Sequence, residues 1–285
     1  MSIELRRGTS EDAATCGRIC FEAFKTLADR HDFPPDFPSP DVASGLLSML
    51  LTHDGFYGVV ATRGGEIVGS NFLDERSEIV GIGPISVDPG AQNQGVGRLL
   101  MEHVLERAAE RSAPGVRLAQ SGYNNQSLCL YTKLGFRVRE PLSIMTGSPP
   151  NVRLPGYEVR QTREADFDAC NQLCRKVHGH DRGGELRDAI QTKTATVVEH
   201  LGRITGYATG IGFFAHAAGE TNEDLKALIV AAPNIMGPGI LVPTRNHELF
   251  CWCLENRLNL VFQMTHMSIG LYSEPTGAYL PSVLY

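Results

Sequence analysis

Two glycines, Gly95 and Gly97, stand at the start of an otherwise strong helix in the stretch "SVDPGAQNQGVGRLLMEHVLERA". Each glycine weakens a helix by about 1 kcal/mol relative to alanine. The first N–H groups of a helix have no partner within it, and the helix dipole places partial positive charge there. Without Cβ atoms, the two glycines would let an anion such as a phosphate reach those N–H groups. The alternative is that they let the helix pack closely on a strand.

The same stretch lacks the two common phosphate-binding fingerprints. It contains neither G-x-x-x-x-G-K-[ST] nor G-x-G-x-x-G, which disfavours a mononucleotide P-loop and a dinucleotide-binding fold. The helix itself is amphipathic, with Leu100, Met101 and Val104 on one face and Glu102 and Glu106 on the other. Only the beginning of the helix is unusual.

The elements around this helix belong to a plan that occurs twice in the chain. The segments "IELRRGTSEDAATCGRICFEAF" from Ile3 and "YEVRQTREADFDACNQLCRKVH" from Tyr157 each predict a strand, a capping turn and an amphipathic helix. Hairpin segments "GGEIVGS" and "LGRITGY" follow, and "NNQSLCLYTKLGFRV" matches "NHELFCWCLENRLNL" as a helix and a strand. Such self-similarity indicates a duplicated unit. We therefore expect a mixed α/β (α+β) protein with two tandem domains, each a mixed twisted sheet flanked by helices.

The segment "TGSPPNVRLPG" between the two copies has the composition of a linker. We expect a first domain over residues 1–147, a linker over 148–156 and a second domain over 157–285. Within the first copy, "DRHDFPPDFPSPD" holds four prolines and predicts a stiff surface loop. Phe33 and Phe37 of that loop either line a pocket or only separate two helices.

The amino-acid composition argues against nucleic acid, membranes and metal ions as partners. The 285 residues carry a formal charge of −6 without a long Lys/Arg run, which argues against nucleic-acid binding. No run reaches the ~18 apolar residues of a membrane span, and the start "MSIELRRGTSEDAA" lacks the apolar core of a signal peptide. We expect a cytoplasmic protein with no membrane partner. The seven cysteines are spaced as small buried side chains rather than as disulfides or a metal site, so no metal is expected.

Two motifs in the first copy resemble those of the GCN5-related N-acetyltransferases (GNAT). The loop "QNQGVG" resembles the Q/R-x-x-G-x-G/A pyrophosphate loop of that family, and "NNQSLCLYTKLGF" resembles its N-x-x-A-x-x-L-Y-x-K-L-G-F motif. Ser127 stands where the family usually has alanine, and Tyr131 stands on its tyrosine. The resemblance extends over residues 3 to 146 and implies two tandem acyl-CoA N-acyltransferase-like domains.

The resemblance also implies a co-substrate site for acetyl-CoA. The loop residues expected at the pyrophosphate are Gln92, Asn93, Gln94, Gly95, Val96, Gly97 and Arg98. Backbone groups of Ile85 and Val87 are expected to pair with the pantetheine arm, while Asn124 and Ser127 are expected near the thiol end. Pro84 cannot donate to a β-ladder, so by itself it marks a place where strand pairing fails.

The chemistry implied is acetyl transfer to a primary amine, expected to be that of a small molecule, by direct attack. Tyr131 is the candidate general acid for the departing thiolate, although a tyrosine simply packed on a helix is the alternative. Asp74, Glu75, Glu78 or a water molecule are open candidates for a general base. Two other functions remain: a non-catalytic acyl-CoA binding or sensing module, and a transferase of another acyl group.

The second copy departs from the motifs. It reads "GETNEDLKAL" at the loop, so Glu220, Glu223 and Asp224 should satisfy the helix dipole and repel a pyrophosphate. Cys253 stands in the place of Tyr131, and Asn246 remains in the place of Asn124. We expect a degenerate domain that does not bind CoA and either completes the sheet or walls the acceptor pocket. A nucleophilic Cys253 with His216 or His247 is the alternative.

Several aromatic residues of the second copy are expected in the core or in an interface rather than in a site. They are Trp252, Phe213 and Phe214. The tail "GAYLPSVLY" could add a strand to a neighbouring chain, so a homodimer is a further expectation.

Overall fold

The computed structural model of the chain describes residues 2–284. Its helices are α1 Ala13–Asp29, α2 Pro40–Thr52, α3 Val96–Glu110, α4 Asn125–Lys133, α5 Phe167–His178, α6 Gly183–Gln191, α7 Asn222–Ala231 and α8 His247–Glu255. Its strands are β1 Ile3–Arg7, β2 Phe56–Arg63, β3 Glu66–Asp74, β4 Ile79–Ile82, β5 Ser86–Val87, β6 Gly115–Ser121, β7 Arg137–Thr146, β8 Tyr157–Gln161, β9 Thr196–His200, β10 Arg203–Ala208, β11 Ala217–Gly219, β12 Ile240–Pro243, β13 Asn259–Gly270 and β14 Ala278–Leu280.

The helices form where apolar residues recur with helical spacing. In α1, Cys16, Ile19 and Cys20 are fully buried on one face. Helix α2 is capped by Ser39, whose side chain accepts from the Val42 N–H. Burial raises the pKa of the Cys16 thiol to about 11, in keeping with its expected structural role. The expectation of burial is wrong for two cysteines, because Cys129 is exposed and Cys251 is only half-buried.

The strands form two sheets, and one of them contains strands from both halves of the chain. The nine-stranded sheet has the order β1-β2-β3-β4-β6-β13-β7-β12, with β5 paired to β3. The five-stranded sheet has the order β14-β11-β10-β9-β8. The mixed α/β class and the repeated layout of helices and sheet are those predicted from the sequence.

The two halves of the chain exchange a strand. β13 lies between β6 and β7 and is antiparallel to both, whereas β7 continues to β12. Met267 of β13 is therefore fully buried in the core around α3, and Met145 of β7 is fully buried in the core around α7. Each hydrophobic core contains a side chain from the other half of the sequence.

The large sheet opens next to β6. β4 pairs in parallel with β6 only from Ile79 to Gly81, and after Pro84 the chain continues as β5, which pairs with β3 instead. The expectation that strand pairing fails at Pro84 is confirmed. The gap between β5 and the far end of β6 leads into the interior of the molecule.

Among residues 2–284, the helices are all too short or too polar to cross a lipid bilayer.

Candidate functional site

A cavity of about 630 Å³ occupies the gap where the large sheet opens. Most of the residues predicted for the site line it. They are Ile85, Val87, Gln92, Asn93, Gly95, Gly97, Arg98, Asn124, Ser127 and Tyr131. Two predicted residues do not line it. Val96 is buried in the core, and the Gln94 side chain donates to the Gly90 carbonyl over 3.1 Å.

The two glycines of the loop are required for different reasons. Gly95 is the N-cap of α3 and has φ +85°, a left-handed conformation that other residues adopt at a cost. Gly97 has ordinary helical space around it, since a Cβ atom there would lie 3.8 Å from Val87 and 3.9 Å from Leu130. Packing within the chain therefore does not require glycine at position 97. Close packing of helix on strand does not account for it, and Gly97 lies on the cavity lining.

The backbone of β5 presents alternate residues to the cavity. The Asp88 N–H donates to the Val68 carbonyl of β3 over 2.9 Å, and Ser86 pairs with Ser70 of the same strand. Because successive residues of a strand point to opposite sides, the peptide groups of Ile85 and Val87 point away from β3. The Val87 carbonyl accepts from the Gln92 side chain over 3.2 Å.

Helix α4 brings Asn124, Ser127 and Tyr131 to the same wall. The Asn124 side chain caps the helix by accepting from the Ser127 N–H over 3.1 Å, and one turn later Tyr131 lies edge-on to Phe136 with its side chain almost fully buried. Burial raises the pKa of Tyr131 to about 12, with a hydrogen bond to Ser127 acting in the opposite direction. The phenol is therefore protonated at neutral pH and has a proton to donate.

None of the three acidic residues considered as a base lines the cavity. Asp74 pairs with Arg76 over 2.6 Å, Glu75 pairs with Arg107 over 2.8 Å, and Glu78 is exposed. These three carboxylates are placed elsewhere because β4 begins at the end of the sheet remote from the opening.

A different carboxylate, that of Asp36, lines the cavity. It belongs to the proline-rich loop between α1 and α2, and burial raises its pKa to about 7. Sequence analysis missed it, although the aromatic residues of the same loop were a signal. Phe37 lines the cavity, whereas Phe33 stacks on Tyr123 with ring centroids 4.7 Å apart.

The second half of the chain also forms part of the wall. Phe213, Phe214, Met264, Val283 and Leu284 line the cavity. Phe213 is also buried in a core cluster, as expected, whereas Phe214 is partly exposed. The tail is held there because the Val283 N–H donates to the Phe213 carbonyl over 2.9 Å. Just before it, β14 pairs with β11 of its own chain, so the tail is used within the molecule.

In the second half, α7 is the helix equivalent to α3, and acidic and hydroxyl side chains of the chain itself cap its N-terminus. Asp224 is buried and accepts from both the N–H and the hydroxyl of Thr221, each over 2.9 Å. Glu220 is held away from the helix by Lys176 at 2.9 Å and Arg203 at 2.6 Å. The predicted negative charge at this helix start is therefore supplied by Glu223 and Asp224, which both lie in the first turn of α7, but not by Glu220.

The residues proposed for a nucleophilic site in the second half do not come together. Cys253 is fully buried, and burial raises the pKa of its thiol to about 12. His216 contacts Glu185 and Tyr207, and His247 approaches Cys251 rather than Cys253. A cysteine nucleophile at position 253 is not supported.

Comparison with known proteins gives one family and a shared fold. Residues 24–136 match the acetyltransferase (GNAT) family model. Mycothiol acetyltransferase of Thermomonospora curvata is 34% identical over 92 residues, which are 32% of this chain and 31% of that protein. The chain thus matches about a third of the length of this curated relative.

Two solved structures align with almost the whole chain. A proposed acetyltransferase of Pyrococcus horikoshii has a TM-score of 0.75 at 17% identity, with 97% of this chain and 94% of the other covered. A tandem GNAT protein from the clavulanic acid biosynthesis pathway has a TM-score of 0.57 at 14% identity, with 94% and 98% covered. At these identities the likeness concerns the fold alone.

Proposed function

We propose that this chain, whose residues 24–136 match the GNAT family model and whose fold is shared with a tandem GNAT protein, is a tandem-form GNAT enzyme that transfers an acetyl group from acetyl-CoA to a primary amine of a small molecule. The observation that carries the proposal is that the bare helix start at Gly97 and the protonated phenol of Tyr131 line one cavity. A module that only senses acyl-CoA has no need of a proton donor. That difference favours catalysis.

The residues present fit acetyl-CoA. At the start of α3 the unpartnered N–H groups, the absent Cβ of Gly97 and the guanidinium of Arg98 offer hydrogen bonds and positive charge to a pyrophosphate. The peptide groups of Ile85 and Val87 point from β5 toward the gap, where the amides of a pantetheine arm could pair with them. Asn124 and Ser127 would adjoin the thiol end, and Gln94 and Val96 would contribute through the loop backbone.

Each residue has a definite task in this proposal. Bound acetyl-CoA would supply an acyl group on a thioester, which a neutral amine attacks. Tyr131 holds a proton that it gives to the sulfur as negative charge develops there, and the proton released by the amine nitrogen as the amide forms passes to water. The apolar side chains around the gap exclude water, which otherwise competes with the amine.

We further propose that the second half of the chain binds no acetyl-CoA. The Asp224 carboxylate already accepts from Thr221 at the start of α7, and a second anion at the same place would be repelled. The function of residues 157–285 would then be to share the sheet and to wall the acceptor side of the cavity.

Calorimetric titration with acetyl-CoA tests the proposal. We expect one site per chain, and loss of that site in Gly97→Leu because the new side chain fills the space reserved for phosphate. Gly45→Leu is the matched control, since Gly45 is also helical and a Cβ atom there meets nothing within 4 Å. Two sites per chain would contradict the proposal that the second half binds no acetyl-CoA. The absence of any site would contradict the acetyltransferase proposal.

A further inference from the structure

Asp36 is the one acidic side chain among the described residues that line the cavity. The basic side chains on the same lining are Arg30, Arg98 and Lys133. Arg98 lies in the first turn of α3, on the side proposed for the pyrophosphate. Arg98 and Lys133 belong to α3 and α4, whereas Arg30 precedes Asp36 in the α1–α2 connection and is exposed.

The neighbours of Asp36 place it across the opening of the sheet. On one side, burial and then the Asp36 carboxylate raise the pKa of the Cys20 thiol, which hydrogen-bonds Ser86 of β5. On the other side, burial and then Asp36 raise the pKa of Tyr123, just after β6, to about 12. Asp36 thus lies between β5 and the end of β6, where the pantetheine arm would end.

Nothing within residues 2–284 forms an ion pair or a hydrogen bond with the Asp36 carboxylate. The Asp36 residue is half-buried on the cavity lining, and a carboxylate without a partner in such a place is disfavoured as an anion, so proteins normally pair such a group or leave it protonated. The groups whose pKa values respond to Asp36 are Cys20 of α1 and Tyr123 after β6, and both are neutral at physiological pH. Arg30, on the same lining, is exposed to solvent. The partner for this charge is therefore to be sought in a ligand.

Several aromatic and aliphatic side chains line the cavity together with Asp36. Phe37, next to it in the loop, lies edge-on to Phe24 of α1 with ring centroids 5.9 Å apart. From the second half of the chain come Phe213 and Phe214, 5.3 Å apart, and Leu284. A ligand that meets Asp36 here would bury an apolar body against aromatic rings.

We propose that Asp36 binds the ammonium group of the acceptor and that the acceptor is a primary amine with an apolar body. This inference rests on the proposed function, because it names the substrate class of the same cavity. An isolated carboxylate between aromatic walls favours an arylalkylamine or alkylamine. A sugar amine would leave its hydroxyl groups without partners against these walls.

Amine binding to the whole chain tests the inference without requiring turnover. By calorimetry, 2-phenylethylamine should bind the unaltered protein at least tenfold more tightly than glucosamine does. The Asp36→Asn variant should bind 2-phenylethylamine at least tenfold more weakly than the unaltered protein does. It should bind the uncharged 2-phenylethanol with the same affinity as the unaltered protein. Asp32→Asn is the matched control, since Asp32 is an exposed aspartate of the same loop, and it should change nothing.

The pH dependence provides a second readout. Because the pKa of Asp36 is raised to about 7, the affinity for 2-phenylethylamine should rise between pH 6 and pH 8 as the carboxylate ionises. In Asp36→Asn it should stay flat over that range. Since the variant removes a charge that burial disfavours, it should unfold at a higher temperature than the unaltered protein at pH 8, with the difference shrinking toward pH 5.

Several outcomes would overturn the inference: no binding of 2-phenylethylamine, equal binding by Asp36→Asn, or glucosamine binding as tightly. The acetyl-CoA titration is separate. If acetyl-CoA failed to bind while 2-phenylethylamine bound in an Asp36-dependent way, the acetyltransferase proposal would fall and the amine site would stand. If acetyl-CoA bound and 2-phenylethylamine did not, the amine site at Asp36 would be ruled out and the acetyl-CoA site would stand.

Discussion

Tyr131 and Asp36 differ in their relation to the fold, although both are ionisable groups on one cavity. Tyr131 is placed by a helix, and burial raises its pKa to about 12, so it carries the proton that acid catalysis requires. Asp36 is placed by a loop, and burial raises its pKa to about 7, so it changes charge near neutral pH. The sequence motif around Tyr131 predicts the position of that residue in the site. The position of Asp36 on the cavity lining depends on how the α1–α2 loop packs.

For Tyr131→Phe we expect kcat to fall by roughly 10²-fold or more, in the range typical of a lost general acid. The affinity for acetyl-CoA should stay within about twofold, because the ring keeps its contact with Phe136. Thiol release during turnover and calorimetry measure the two quantities. Tyr57→Phe, which removes a hydroxyl hydrogen-bonded to His103, is the control, and an unchanged kcat in Tyr131→Phe would remove the phenol from the mechanism.

Helices α3 and α7 occupy equivalent positions in the two copies of the repeat, but their N-termini are capped differently. α3 starts at a left-handed glycine and has no side-chain cap, whereas α7 starts with a capping box between Thr221 and Asp224. A capped helix is more stable but has fewer free N–H groups to offer a ligand. In the proposed function, the uncapped start of α3 trades helix stability for ligand binding.

Two substitutions at the start of α3 should therefore separate stability from binding. Gly97→Leu should stabilise the fold by up to about 1 kcal/mol and weaken acetyl-CoA binding at least tenfold, because a side chain longer than alanine would extend into the cavity. Gly95→Ala should destabilise the fold by about 1 kcal/mol or more, because the φ of Gly95 is +85°. Urea unfolding measures the stability and calorimetry measures the binding. Unaltered acetyl-CoA binding in Gly97→Leu would show that no phosphate approaches this residue.

In the whole molecule, the exchanged strands join the two halves. Met267 belongs to the second half and packs in the core of the first, while Met145 does the opposite. The second half also contributes Phe213 and Leu284 to the cavity wall. Binding in the first half should thus depend on the folding of the second.

We expect the two halves to unfold together. The fluorescence of Trp252, the single tryptophan, reports on the second half, and acetyl-CoA binding reports on the first; both should be lost at the same urea concentration. Met267→Ala should lower the free energy of unfolding by about 2–4 kcal/mol and shift both signals equally. Met49→Ala, at an exposed methionine of α2, should shift neither, and two separate midpoints would contradict the coupling.

Local sequence patterns are sufficient to predict the repeat, the mixed α/β elements, the loop before α3 and the position of Tyr131. These features depend on spacing, capping and backbone freedom within a few residues, so they can be predicted without knowing what lies nearby. The tertiary structure alone decided that β13 lies between β6 and β7, that Asp36 faces the cavity and that Phe213 and Phe214 wall it. Those placements depend on contacts between residues far apart in the chain, whose free energies no local pattern encodes.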